Sequence, residues 1–335
     1  MDHEKFWNLK GESTMKLFAG YDGGGTKTAC VLTDETGRLL GTGIGGPSNY
    51  LYCGKELAAE SVRTATEQAF KEAGLEPRKL DAAYMASAAI LLANGDAHVP
   101  FFSTCIDADL VLCDSDIYPI WYGSVREKPA VVQIAGTGAL TYVCSTEGFT
   151  RVSGWGPLLG DEGSGYDVAL RALKKVCRMY DGREPMDQEL VDTIFAHYEA
   201  ESPFGILRAF RQGDSRSIVA SCGKIIFDLY AKGNATAKAL LEETADEIAL
   251  AVTTAAKISN QPTPLPAVFS GSLVQPGRAL YPMLEERLLK DGSPISYMCG
   301  LDAHPAAAAA ALALHARGLD EAGDALLENA KGVML

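Results

Sequence analysis

Lys16-Leu17-Phe18-Ala19-Gly20-Tyr21-Asp22-Gly23-Gly24-Gly25-Thr26-Lys27-Thr28 decides the fold, because its plan recurs at Val131-Val132-Gln133-Ile134-Ala135-Gly136-Thr137-Gly138. In the first copy an apolar strand from Lys16 to Tyr21 enters a glycine turn. A second strand passes through Val31 and Leu32, a polar turn holds Gly37, and a third strand passes through Leu39 and Leu40. In the second copy a strand from Val131 to Ala135 enters Gly136-Thr137-Gly138. A strand through Leu140, Tyr142 and Val143 follows, then a turn with Gly148 and a third strand ending before Gly154. Strand, glycine turn, strand, turn, strand, twice in tandem, is hard to obtain by accident.

Outward from these hairpins the pattern alternates. Glu56 to Ala73 has apolar residues at helical spacing, Ala82 to Ala86 and Leu110 to Cys113 read as buried strands, and Ile117 opens a helix. After the second hairpin, helices are predicted over Ser164 to Met179, Asp187 to His197, Ser217 to Tyr230 and Ala235 to Ile258. Leu240, Leu241, Ile248 and Val252 mark the buried stripe of the last one. Leu265 to Phe269 and Ile295 to Cys299 are the remaining strands, and Pro305 stands where a final helix can begin. A chain of 335 residues suits two domains of about 150. The architecture is therefore two alternating α/β domains on one plan, with a hinge near residues 124–130 and a cleft available between them. Expected bounds are an extension over residues 1–14, since Met15 is a candidate start, then domains over 15–127 and 128–302. A C-terminal helical segment over 303–335 is expected to pack on the first domain.

A net charge of −13 disfavours nucleic acid or an anionic membrane as partner. No apolar run reaches the ~18 to 20 residues of a membrane helix, and the alanine-rich run after Pro305 stops at His315. The first fourteen residues lack the apolar core of a secretory signal. The eight cysteines have no Cys-x-x-Cys pair or zinc-like spacing, so they read as reduced thiols of a cytoplasmic protein.

Three consecutive glycines before Thr26-Lys27-Thr28 let backbone N–H groups approach an anion, phosphate above all. The run departs from the P-loop pattern, because Thr26 follows Gly25 and the turn leads into a strand. A plain hairpin turn is the alternative. The second turn at Gly136-Thr137-Gly138 strengthens the phosphate reading, since two such turns would grip a polyphosphate from both sides. Gly41-Thr42-Gly43-Ile44-Gly45-Gly46 formally matches the dinucleotide fingerprint, but Pro47 and the lack of an immediately following helix favour strand exit and loop.

Together with Gly154-Trp155-Gly156-Pro157-Leu158-Leu159-Gly160-Asp161-Glu162-Gly163-Ser164-Gly165, these turns resemble the BadF/BadG/BcrA/BcrD-type ATPases and N-acetylglucosamine kinases over nearly the whole chain from Met15. The resemblance implies two tandem actin-like (ribonuclease H-like) domains with a nucleotide cleft between them, and Mg-ATP-dependent phosphoryl transfer to an amino sugar such as N-acetylglucosamine. It implies that Asp22 holds Mg²⁺ and that Asp22, Gly23, Gly24, Gly25, Thr26 and Lys27 form the first phosphate site. Gly136, Thr137 and Gly138 would form the second, and Gly271 and Ser272, ending the strand at Phe269, the adenosine site. Ser48 and Asn49 resemble the family's sugar-contacting loop, and Gly154, Trp155 and Asp161 fall beside the substrate.

The residues alone leave some roles open. Trp155 is either a core anchor or a sugar platform, and Asp161 and Glu162 precede a helix whose start they could cap. Transfer to a hydroxyl needs a carboxylate within hydrogen-bond reach, and Asp114 and Asp116 both follow a buried strand. The family's aspartate is followed seven positions on by a small residue, which Asp116 and Gly123 match, so Asp116 is chosen as the base. Helix capping is the alternative for both. The departure is Ser115-Asp116-Ile117 in place of the family's Asn-Asp-Ala. The competing function is an activator-type ATPase of the BadF/BcrA kind that couples hydrolysis to another protein. Ala135 stands just before Gly136, where such activators carry a cluster cysteine nearby. A sugar-sensing regulator would be expected to append a DNA-binding helix-turn-helix, for which the short stretch before Met15 gives no room. A chaperone-like ATPase would be expected to carry extra insertions or tails, so both are expected less than a kinase. The partner expected is a small-molecule sugar, with no nucleic acid or membrane; a homodimer is left open.

Overall fold

The structure is a computed structural model that describes residues 15–90, 94–126, 128–211 and 215–333. The expected extension over residues 1–14 lies outside them. The chain divides into two compact units, one running to Pro119 and resuming at Asp302, the other Ile120–Leu301.

In the first unit β1 (Leu17–Gly23), β2 (Thr28–Asp34), β3 (Leu39–Gly45), β4 (Ala82–Ser87) and β5 (Val111–Asp114) stand in the order β3-β2-β1-β4-β5. The second unit has β6 (Ala130–Ala135), β7 (Ala139–Ser145), β8 (Gly148–Arg151), β9 (Leu265–Ser270) and β10 (Ile295–Cys299), ordered β10-β9-β6-β7-β8. Read from β8, the second order is the first one repeated. β1 pairs antiparallel with β2 and parallel with β4, and β6 does the same with β7 and β9. A strand flanked on both sides and covered on both faces loses the polar alternation of an exposed strand. That is why Leu17–Tyr21 and Ala130–Gln133 are buried without interruption.

Helices then cover the sheets. In the first unit the helix Lys55–Glu72 lies on β3, and the fit explains the run that imitates a dinucleotide fingerprint. Gly41, Gly43 and Gly45 share one face of β3 because strand side chains alternate. A Cβ on them would stand 2.3, 2.0 and 1.9 Å from the carbonyl oxygens of Ala69, Ala65 and Ser61. A glycine every second strand residue thus meets one helix turn every fourth residue, and the run is a packing seam. Gly20 does the same for the alanine-rich helix Pro305–His315. A Cβ there would fall 1.9 Å from the Ala310 nitrogen, so this helix lies directly against β1. Small alanines from Ala306 to Ala311 make the approach available, and all of them are buried.

In the second unit the core lies between the sheet and the helices Gly165–Tyr180 and Ala235–Ile258, with Leu240, Leu241, Ile248 and Val252 buried as their spacing predicts. The helix expected over Ser217 to Tyr230 is instead two, Ser215–Ser221 and Gly223–Ala231, broken at Cys222. Just after the break the backbones approach closely, and a Cβ at Gly223 would sit 2.9 Å from the carbonyl oxygen of Gly165. Among the described residues no helix is long and apolar enough to cross a membrane.

Candidate active site

The first glycine turn is a hairpin tip. Gly23 pairs with Thr28, the Gly24 N–H donates to the Lys27 carbonyl at 3.0 Å, and Gly25, Thr26 and Lys27 are exposed at the end. The glycines are thus the tip of the β1–β2 hairpin. The turn also gathers the Ser48-Asn49 loop, since the N–H groups of Ser48 and Asn49 both donate to the Gly24 carbonyl at 3.1 Å. Glycine at 23 suits this fit, because a Cβ there would lie 2.4 Å from Ser48 Oγ and 2.5 Å from Met85 Cε, so both side chains would have to move.

Ser48 and Asn49 are almost wholly buried, at 0% and 4% exposure, yet Ser48 Oγ and Asn49 Oδ1 have no hydrogen-bond partner. Buried polar atoms are nearly always satisfied, and leaving one unpaired costs about 1–3 kcal/mol. These two atoms stand beside the glycine turn with hydrogen-bonding capacity that the described protein groups leave unused.

Asp22, the last residue but one of β1, is half-buried and faces Asp116. Burial and then the Asp116 charge push its carboxyl from 3.8 up to about 7, with Lys27 pulling the other way. The Asp22 carboxyl is thus coupled to one acidic and one basic neighbour, Asp116 and Lys27.

Asp114 and Asp116 have different surroundings. Asp114 closes β5, takes the Ser115 N–H at 2.7 Å, and has Asp96 and Tyr84 as charged or polar neighbours; burial first and Asp96 second raise its pKa. Asp116 accepts the Ser115 hydroxyl at 3.1 Å and acts on Asp22. Of the two, Asp116 is the one whose charge acts on Asp22.

In the second unit three separated motifs converge. The turn closes with the Gly136 N–H donating to the Gly138 carbonyl at 2.9 Å, and the first helical amides of Gly165–Tyr180 dock on it. The Gly165 N–H donates to the Gly136 carbonyl at 2.8 Å, and that of Tyr166 to Thr137 at 3.3 Å. Ser272 Oγ comes 3.9 Å from where a Gly136 Cβ would be. Gly271 has φ of +98° and would drive a Cβ to 2.3 Å from the Ala135 carbonyl oxygen. A side chain is excluded there both by conformation and by space.

The loop between Gly154 and Asp161 separates the roles left open there. The helix is capped by Ser164, whose Oγ accepts the Asp167 N–H at 3.1 Å, so neither Asp161 nor Glu162 is the cap. Asp161, with φ of +57°, is buried and its Oδ1 accepts the Gly156 N–H at 3.0 Å, which shapes the loop that carries Trp155. Trp155 is 59% exposed with the Arg151 guanidinium 4.8 Å from its ring, so it is no core anchor.

Sequence reasoning missed two contributors in the first unit. His304 caps the Pro305 helix, its Nδ1 accepting the Ala306 N–H at 3.1 Å, and burial together with the Lys27 charge lowers its pKa to about 4. Its position just before Pro305 was the readable signal. Tyr50, next to Asn49, is held by His98 through a 2.5 Å hydrogen bond and by Phe101 at 4.8 Å between ring centroids. No sequence pattern announces that contact.

The sequence matches the model of the BadF/BadG/BcrA/BcrD ATPase family over residues 19–300. The chain belongs to this family. An N-acetylmuramic acid/N-acetylglucosamine kinase from Clostridium acetobutylicum is 27% identical to this family member over 250 residues, covering 71% of this chain and 78% of that protein. An N-acetyl-D-glucosamine kinase from Dictyostelium discoideum is 28% identical over 177 residues, 50% of this chain and 56% of that one. A crystal structure from Chromobacterium violaceum, solved as a candidate N-acetylglucosamine kinase, superposes at TM-score 0.72 and 21% identity, covering 90% of this chain and 99% of that one. At that identity the superposition establishes the fold: an ATPase-family chain of the actin-like class.

Proposed function

We propose that the chain is an ATP-dependent sugar kinase that transfers the γ-phosphoryl group to a hydroxyl of an amino sugar, N-acetylglucosamine in the first instance. The observation that carries this reading is the grouping, around one glycine turn, of facing carboxylates at Asp22 and Asp116 with the orphaned polar atoms of Ser48 and Asn49. A nucleotide-hydrolysing protein has use for the turn and Asp22. A buried acceptor awaiting a polar ligand fits a hydroxylated substrate, and the relatives named above are amino-sugar kinases.

In this reading Asp22 holds Mg²⁺, which when bound neutralises charge on the phosphate oxygens. One or two carboxylates are the usual protein share of an Mg²⁺ shell, and the hard oxygens of Asp22 fit it. Gly25 and Thr26 amides and Lys27 bind phosphate, aided by Gly23 and Gly24. The turn at Gly136, Thr137 and Gly138 supplies further amide donors, and Gly271 and Ser272 take the adenosine end. Ser48, Asn49, Gly154, Trp155 and Asp161 bind the sugar, and Asp116 takes the proton of the attacking hydroxyl. We place the activity in the cytoplasm, where ATP meets reduced thiols such as the eight free cysteines here.

Two tests follow from the packing. A Cβ at Gly24 comes no nearer than 3.4 Å to its neighbours, and one at Gly136 no nearer than 3.9 Å, so a side chain can start at either position without a clash, and the melting temperature of each variant checks that it folds. What valine removes is close approach of phosphate to charged-group hydrogen bonds worth about 1.5–3 kcal/mol each. Gly24→Val and Gly136→Val are expected to weaken ATP binding roughly 10- to 100-fold by calorimetry. Unchanged affinity in either folded variant removes that turn from the site. Asn49→Ala deletes a hydrogen bond worth about 1–1.5 kcal/mol, so the sugar KM is expected to rise roughly five- to tenfold with ATP affinity kept. A sugar KM that does not move makes Ser48-Asn49 a turn only.

A further inference from the structure

His304 is a residue to which the chemistry above gives no task. Its Nδ1 accepts the Ala306 N–H, so this nitrogen carries no proton. A neutral imidazole with a committed Nδ1 must carry its hydrogen on Nε2. Among the described residues Nε2–H has no hydrogen-bond partner in the protein, and His304 is part-buried, which leaves this donor open to a ligand.

The place of this donor is fixed by the helix it caps. Pro305–His315 lies against β1 at Gly20, close enough that Ala306 and Ala310 backbone atoms exclude a Cβ there, and β1 continues from Gly20 straight into Asp22 and the glycine turn. Lys27 of that turn is the charged neighbour of the imidazole. The same turn holds the unpartnered Ser48 Oγ and Asn49 Oδ1, which independently mark it as ligand-binding. A histidine beside a lysine would ordinarily be a poor neighbour for more positive charge. Kept neutral, it adds a directional donor without adding charge.

We propose that His304 Nε2–H donates to a phosphate oxygen of the nucleotide bound at the first glycine turn, with the helix cap at Nδ1 locking the tautomer that makes it a donor. This rests on the nucleotide-binding reading of that turn. It divides the imidazole into two halves with separable duties: Nδ1 for the fold and Nε2 for the ligand.

The halves can be exchanged separately, because Asn places its side-chain oxygen near Nδ1 and Gln places its amide nitrogen near Nε2. His304→Asn keeps an acceptor for the cap, which Asn fills well. It should retain the melting temperature of the wild type while binding of the non-hydrolysable analogue AMPPNP weakens about tenfold. His304→Gln loses the cap but regains the distal donor, so it should melt earlier and bind AMPPNP more tightly than His304→Asn. Wild-type AMPPNP affinity in His304→Asn overturns the proposal. Equal loss in both variants, scaling with lowered melting temperature, also overturns it, leaving a structural cap. Wild-type protein that binds AMPPNP but phosphorylates no sugar refutes the kinase reading alone, and wild-type protein that does not bind AMPPNP refutes both.

Discussion

Replacing Asp116 by Asn is expected to lower kcat by roughly 10² to 10⁴, the range a positioned general base contributes, with ATP and sugar binding kept. Asn preserves the volume and can still accept the Ser115 hydroxyl that Asp116 accepts now, so the local hydrogen bond that orients residue 116 survives. It cannot take a proton. A change confined to kcat marks an interaction made in the transition state. Asp114→Asn is the control. Its carboxylate accepts the Ser115 N–H and has Asp96 as its charged neighbour, so the expected loss in turnover is far smaller. Should Asp114→Asn abolish turnover while Asp116→Asn does not, the base has been placed two residues off; should neither matter, phosphoryl transfer by this carboxylate is refuted.

Asp22→Asn carries the second large effect, and it acts in opposite directions on stability and activity. Folding raises this carboxyl from 3.8 to about 7 through burial and the Asp116 charge. A group whose pKa is raised on folding favours the folded state fully below its unfolded value. That contribution is lost as pH climbs through the folded one. The ligand-free protein therefore loses stability from about pH 4 to pH 7 on account of Asp22. Asp22→Asn, which has no proton to lose, is expected to melt at a higher temperature than wild type at pH 8, with the gap closing toward pH 4. The same change removes a carboxylate proposed to hold Mg²⁺, a loss of several kcal/mol of charge stabilisation, so turnover should fall by roughly 10² or more. A melting-temperature series in pH, run beside turnover, separates the two. A variant that is no more stable than wild type at pH 8 contradicts the buried-carboxylate account.

Much of this was legible in the sequence, and the reasons differ by residue. The hairpins announced themselves because the apolar strands around Tyr21 and Ile134 end in glycine runs, and local pattern is enough to define a strand and its turn. Their repetition implied one topology used twice, which the matching strand orders display. The alternating glycines of β3 were visible, but their cause was not, since it lies in the carbonyls of a helix ten or more residues away. The close approach just after Cys222 was invisible for the same reason: Gly165 and Gly223 meet only in the folded chain. Asp114 and Asp116 were inseparable locally, being two residues apart at a strand end, where side-chain direction depends on neighbours such as Asp22 and Asp96. His304 has no motif of its own, because its part is set by a tautomer that only the Ala306 contact fixes.

The measurement that bears most directly on the central claim is ADP release by the intact protein with ATP and Mg²⁺, with and without N-acetylglucosamine, glucosamine, N-acetylmuramic acid and plain hexoses, coupled to detection of the sugar phosphate. The account expects ADP release to depend on an amino sugar and to match the phosphorylated sugar mole for mole. ADP release that is the same with every sugar and with none, and no sugar phosphate formed, would contradict it and point to an ATPase that serves another protein.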